Sequence, residues 1–234
     1  MSSLITGWLL ALALGVRHAS EPDHLVAVST LVADAPTARR AATLGAIWGL
    51  GHSLALLGVG GGLMILHWQL SDRLADVFEL IVAAMLLVLG VRSIQAALQL
   101  RAAERKHVFH AHGSVPHRGL HTHGGGRPHR HDARRRARRP LVVGLVHGLA
   151  GSGALTALAL ANMPSLGSGL AYIAFFGLGS VLGMAALSGL IGAPLSKFTA
   201  RNPVQVAALA TTGALSFAVG IAWGWPLLLR VSGG

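Results

Sequence analysis

Residues 3–33 read SLITGWLLALALGVRHASEPDHLVAVSTLVA. About 20 apolar residues cross the hydrocarbon core of a bilayer. This run is long enough, yet it carries Arg17, His18, Glu21, Asp23 and His24 in its middle. Ionisable groups at membrane depth are expensive and mark functional positions. The run has no basic start, and its first apolar part ends at Arg17-His18 instead of a small-residue cleavage site. It therefore reads as a retained helix and not a leader. Pro22 lacks an amide hydrogen and its ring clashes with the preceding turn, so this helix is expected to kink or unwind over 18–22. An unbroken helix would set His18 and His24 about 120° apart and about 9 Å apart along its axis. A break can bring both imidazoles and a carboxylate towards one point, and broken backbone at that depth belongs beside a cavity or inside protein.

Outward from this run, five more apolar stretches follow, at 40–67, 74–99, 140–163, 167–193 and 204–229. Alternation at period two is absent, which argues against a β-barrel. The stretches also lack the polar faces of soluble helices. The expected fold is an all-α polytopic membrane protein with six transmembrane helices. Composition agrees: 12% of the 234 residues are charged, about half the soluble average. With no cysteine, disulfide scaffolds, thiolate metal sites and Cys nucleophiles are excluded.

Charge is concentrated. Residues 101–139 hold 11 Lys+Arg and 2 acids, leaving 8 and 6 for everything else. A near-neutral apolar body with one basic insert is not a soluble nucleic-acid-binding domain, and no nucleic-acid partner is expected. Three units follow: residues 1–100, an insert at 101–139, and residues 140–234. Arg39, Arg40, Arg92, the insert, Lys197 and Arg201 fall on one side of the expected spans. The positive-inside rule makes that side cytoplasmic, with both termini outside, in a plasma (bacterial inner) membrane. On the outer side, Asp72, Asp76 and Glu79 read as acids at a helix start. His67, beside Trp68, reads as an interfacial residue.

The halves flanking the insert are alike. Gly15-Val-Arg-His18 matches Gly144-Leu-Val-His147, and Gly49-Leu-Gly-His-Ser53 matches Gly177-Leu-Gly-Ser-Val181. Three helices per half invert the second half in the membrane, a 3+3 inverted repeat of the kind that places a site between halves. The set His18, Asp23, His24, with His52 as a third imidazole, offers nitrogen and oxygen ligands that suit Ni²⁺, Co²⁺ or Zn²⁺, with Cu²⁺ competing on affinity. His147 stands opposite His18 in the repeat but is expected to lack a paired acid. Arg17 is expected to pair with Glu21 one turn on, or with Asp34 or Asp23; pairing with Glu21 leaves Asp23 free for metal.

Arg17-His-Ala-Ser-Glu-Pro-Asp-His24 and the following Leu-Val-Ala-Val-Ser-Thr30 resemble the HX4DH signature of the nickel/cobalt transporter superfamily. Leu50-Gly-His-Ser53 resembles its second signature. Residues 144–156 are similar to the matching segment of the short, UreH-like branch. The resemblance implies that His18, Asp23, His24 and His52 select and pass the metal. It also implies a supply of nickel to cytoplasmic chaperones of urease or hydrogenase. Larger members have eight helices where six are expected here, and His147 stands where many permeases have other polar residues.

The insert contains His107, His110, His112, His117, His121, His123, His129 and His131, three pairs of them spaced H-x-H. A flexible His-rich tract reads as metal binding, here as auxiliary capture that weakens below about pH 6 as imidazoles protonate. The Arg134–Arg139 run suits anionic headgroups.

Together these features point to a permease, not an enzyme, that takes up Ni²⁺ or Co²⁺ as cargo and carries no prosthetic group. His18, Asp23, His24, His52 and His147 would be its ligands, supported by Arg17, Glu21, Pro22 and Ser53. Export of the same metals makes the same demands on the ligands. An intramembrane hydrolase would need Glu21 as general base. An anion exporter of similar size would need no such signatures.

Overall fold

The computed structural model describes residues 2–33, 35, 37–68, 70–108, 137–150, 163, 165–198 and 202–232, and every regular element among them is helical. The helices are α1 (Ser2–His18), α2 (Pro22–Val32), α3 (Ala38–Ala55), α4 (Gly61–Leu66), α5 (Asp72–Val108), α6 (137–150), α7 (Leu166–Phe198) and α8 (Asn202–Ser232). A π-helical turn, Leu56–Gly60, joins α3 to α4.

Among the described residues, four helical stretches are long and apolar enough to cross a membrane: Ala38–Leu66, Asp72–Ala102, Leu166–Ala193 and Pro203–Ser232. The chain is a polytopic helical membrane protein. Of the two other expected spans, residues 3–33 form α1 and α2 with a break between them. The span at 140–163 is helical through residue 150, and residues 151–162 lie outside the described part.

Helix α5 continues to Val108, and α6 already includes residues 137–139, because Leu98-Gln-Leu-Arg-Ala-Ala-Glu-Arg-Lys106 is made of strong helix formers. His107 is therefore on α5, whereas His110, His112, His117, His121, His123, His129 and His131 lie outside the described residues.

The break is local chemistry. Glu21 precedes proline and is extended, with φ −64° and ψ 149°, as the proline ring demands. Pro22 then opens α2 in the first turn, where its missing amide costs nothing. The end of α1 closes on itself: the Ser20 amide and hydroxyl both donate to Arg17 O, at 2.9 and 2.6 Å, and the Glu21 amide donates to His18 O at 3.0 Å.

Helix α7 lies between α1 and α3, and α5 pairs with α8. Glycines permit this closeness, because lipid offers no hydrophobic drive and backbones must touch to gain dispersion contact. A Cβ at Gly15 of α1 would strike Phe176 O and Ser180 N of α7. A Cβ at Gly144 of α6 would strike Trp48 O and His52 N of α3 in the same order. Gly179 of α7 meets Leu12 O and Val16 N of α1, as Gly51 of α3 meets Leu141 O and Leu145 N of α6. Gly90 and Gly213 meet each other's carbonyls, and the flanking bonds are mirrored: Ser93 Oγ donates to Leu209 O and Ser216 Oγ to Leu86 O, each at 2.8 Å.

Trp48, Met184, Leu86, Val28 and Val32 pack into one buried cluster around α2. Large apolar side chains such as Leu9, Leu190 and Trp225 are exposed around the perimeter, the surface a lipid solvent requires. The acids at the start of α5 also reach across to α8: Asp76 pairs with Arg230 at 2.9 Å, and Trp223 Nε1 donates to Glu79 Oε2 at 3.4 Å.

Candidate metal centre

The helix break delivers what an unbroken helix could not. The His18 and His24 rings lie 4.4 Å apart, centroid to centroid. His52 of α3 stands 5.1 Å from His18 and 5.2 Å from His24, and His147 of α6 stands 4.2 Å from His24. His24, His52 and His147 are each 1–2% exposed.

Two ligand sets overlap. His18, His24 and His52 bring one nitrogen each within 4.8 Å of one another; Asp23, His24 and His147 do the same with a carboxylate oxygen and two nitrogens. His24 belongs to both. His18 Nε2 and His52 Nε2 are 3.2 Å apart. Two nitrogens on one ion with bonds of about 2.1 Å lie about 3.0 Å apart at a right angle and about 3.4 Å apart in a tetrahedron. The observed separation falls between these.

Carboxylates orient the rings. His18 Nδ1 donates to Glu21 Oε2 at 2.9 Å, which leaves Nε2 with its lone pair turned to His52. His24 Nδ1 donates to Asp23 Oδ1 at 3.1 Å and His147 Nε2 to Asp23 Oδ2 at 2.7 Å. A carboxylate on the far nitrogen of an imidazole is the usual support of a metal-ligating histidine, fixing its tautomer and ring angle. The nitrogens left over, His24 Nε2, His52 Nδ1 and His147 Nδ1, are buried and have no hydrogen-bond partner. An unmet buried polar atom costs about 1–3 kcal/mol, so the protein alone leaves this cluster incomplete. Trp48 closes one side, 5.4 Å from His24 and 5.7 Å from His147, and Phe176 stands 5.2 Å from His18.

Two expectations are corrected. Arg17 does not hold Glu21. The i,i+4 pairing presumes a continuous helix, but α1 stops at His18, so Glu21 folds back onto His18 and Arg17 is exposed. Asp34 lies outside the described residues. His147 does have an acid, and it is Asp23, from a segment 124 residues away. Ser53 is no ligand: its hydroxyl lies 2.8 Å from both Gly49 O and Gly177 O and donates to one or the other, fastening α3 to α7. His67 is exposed and ends α4 in the left-handed region at φ 52°. Sequence reasoning missed the two aromatic walls, although Trp48 sits one turn before His52 on the same face of α3.

Along the helices, at about 1.5 Å per residue, His52 lies about 18 Å from Arg40 and His147 about 12 Å from Arg139.

The fold and the cluster define a polytopic helical membrane protein with buried imidazole and carboxylate groups convergent enough to bind a divalent metal. The family model described as high-affinity nickel-transport protein matches residues 4–202, and the chain belongs to this NicO family. The urease accessory protein UreH of Bacillus sp. (strain TB-90) is 32% identical over 214 residues, covering 91% of this chain and 87% of that protein. No solved structure matches.

Proposed function

We propose that the protein carries Ni²⁺ into the cell, with Co²⁺ as a second cargo, through the His18/His24/His52 and Asp23/His24/His147 sets. The observation that carries this reading is the sharing of His24 by two ligand groups, in a buried cluster where His24 Nε2, His52 Nδ1 and His147 Nδ1 have no hydrogen-bond partner. An ion held by His18, His24 and His52 can pass to Asp23 and His147 without ever leaving His24. Depths of about 12–18 Å from the arginine-rich ends support a site near the middle of a core about 30 Å thick. All-nitrogen/oxygen ligands favour Ni²⁺ and Co²⁺ over Cu⁺.

The six-span, 3+3 inverted arrangement belongs to the same proposal. The contacts of Gly15 mirror those of Gly144, those of Gly51 mirror those of Gly179, and Gly90 and Gly213 meet each other, which supports it. The cluster then lies between α1–α3 of one half and α6 of the other, where rocking of the halves would expose it to each side in turn. With the arginine-rich end cytoplasmic, both termini face out and the His-rich insert captures released ion inside. A divalent ion moving with the potential gains about 4.6 kcal/mol per 100 mV, enough for uptake without ATP. The urease accessory relative supports delivery to cytoplasmic nickel chaperones.

The test is accumulation of ⁶³Ni²⁺ in cells expressing the protein or its His18→Ala/His24→Ala variant. Raised accumulation that the double variant abolishes is expected. Lowered accumulation that the variant restores would assign export instead, and no difference between the two proteins would remove the cluster from the pathway.

A further inference from the structure

The arginine-rich end holds a second feature, apart from the imidazoles. A cavity of about 860 Å³ is lined by Arg40, Arg92 and Arg139, with Ser93, Gln95 and Gln99 between them. A second hollow, of about 560 Å³, shares Leu89, Arg92 and Arg139 with the first. Its lining adds Arg138 and the apolar Met85, Val88, Val142 and Val143. No carboxylate among the described residues lines either space, and these four guanidiniums make no ion pair among the described residues.

Depth gives the arrangement its meaning. Arg92 lies about 30 Å along α5 from Asp72, the thickness of a hydrocarbon core. Asp72 and Arg92 therefore mark its two boundaries. Met85 and Val88 stand one to two turns below Arg92, at acyl-chain depth. Val142 and Val143 stand one turn inside Arg139 on α6. A polar cationic chamber at headgroup level thus adjoins an apolar groove at chain level, with Leu89, Arg92 and Arg139 common to both.

We propose that these adjoining spaces are a binding site for an anionic phospholipid, its phosphate among Arg40, Arg92 and Arg139 and an acyl chain along Met85, Val88, Val142 and Val143. Guanidinium forks match phosphate oxygens two at a time, and basic pockets between membrane helices take anionic headgroups. The apolar groove decides for a lipid over free phosphate, which would fill the chamber and leave the groove empty. The site needs no part of the transport proposal.

The test is native mass spectrometry of the purified full chain, given equal amounts of phosphatidylglycerol and phosphatidylcholine with identical acyl chains. The intact protein is expected to retain phosphatidylglycerol at least about tenfold over phosphatidylcholine. Each arginine lost should weaken that preference about fivefold, so Arg92→Gln/Arg139→Gln abolishes it. Val142→Trp, which obstructs the groove, should lower retention with the arginines intact, whereas Arg73→Gln at the opposite membrane boundary should change nothing. All are exposed positions, and an unchanged elution volume will confirm folding. Equal retention of the two lipids, or an undiminished preference in Arg92→Gln/Arg139→Gln, would overturn the proposal. Displacement of the lipid by millimolar inorganic phosphate would also overturn it, by assigning the chamber to a free anion.

Discussion

Replacing Asp23 with Asn tests how the cluster is organised. The carboxylate accepts from His24 Nδ1 through one oxygen and from His147 Nε2 through the other, at 3.1 and 2.7 Å. Asparagine keeps one acceptor and puts an NH₂ group at the second. One imidazole must then turn a lone pair towards Asn, which moves its N–H to the nitrogen meant for the ion. Loss of a carboxylate from this supporting role costs about 10–100-fold in metal affinity, or about 1.4–2.7 kcal/mol, and loss of its oxygen as a ligand adds to that. Removing a negative charge beside a divalent ion acts in the same direction. The assay is calorimetric titration of purified protein with Ni²⁺, with residues 109–136 deleted so that of the insert's imidazoles only His107 remains. Asp23→Asn should raise Kd at least tenfold by this reckoning, while Asp76→Asn, in the pair with Arg230 at the edge of the molecule, should leave it unchanged. An affinity within about twofold of the parent, in a folded Asp23→Asn protein, would refute the carboxylate–imidazole reasoning.

Other consequences can be checked separately. Gly144→Leu drives a side chain into Trp48 O and His52 N; strain of about 1–3 kcal/mol should lower the midpoint of thermal unfolding and, by displacing His52, weaken Ni²⁺ binding as well. Ser53→Ala removes the hydroxyl between Gly49 and Gly177 and should cost about 1 kcal/mol of stability with Ni²⁺ affinity intact. Arg230→Gln breaks an ion pair whose arginine is 60% exposed, so unfolding in detergent should shift by less than about 1 kcal/mol. Deleting residues 109–136 should leave maximal ⁶³Ni²⁺ uptake unchanged and raise the concentration needed for half of it.

Much of the site was legible because its cause is local. Pro22 forces the break wherever it stands in an apolar run, and the break explains how His18 and His24 meet. His52 was legible from its place beside glycine on the next helix. What the sequence hid is long-range or depends on where a helix ends. Asp23 meets His147 only because α2 and α6 fold against each other, and no spacing rule links residues so far apart. Glu21 was misassigned to Arg17 because the i,i+4 rule applies only within one helix. The mirrored glycine contacts were half visible: the matching Gly-x-x-His and Gly-x-Gly segments stand in the sequence, but which backbone each glycine touches depends on how the helices pack. The π-helical turn at Leu56–Gly60 had no signal beyond its glycines.

The most direct test of the central claim is Ni²⁺ flux into proteoliposomes. They would hold a Ni²⁺-quenched dye and an imposed inside-negative potential, with the intact protein compared with His24→Ala, the variant lacking the ligand common to both sets. The account predicts potential-driven influx through the intact protein and protein-free leak rates through His24→Ala. Equal influx through both would contradict it.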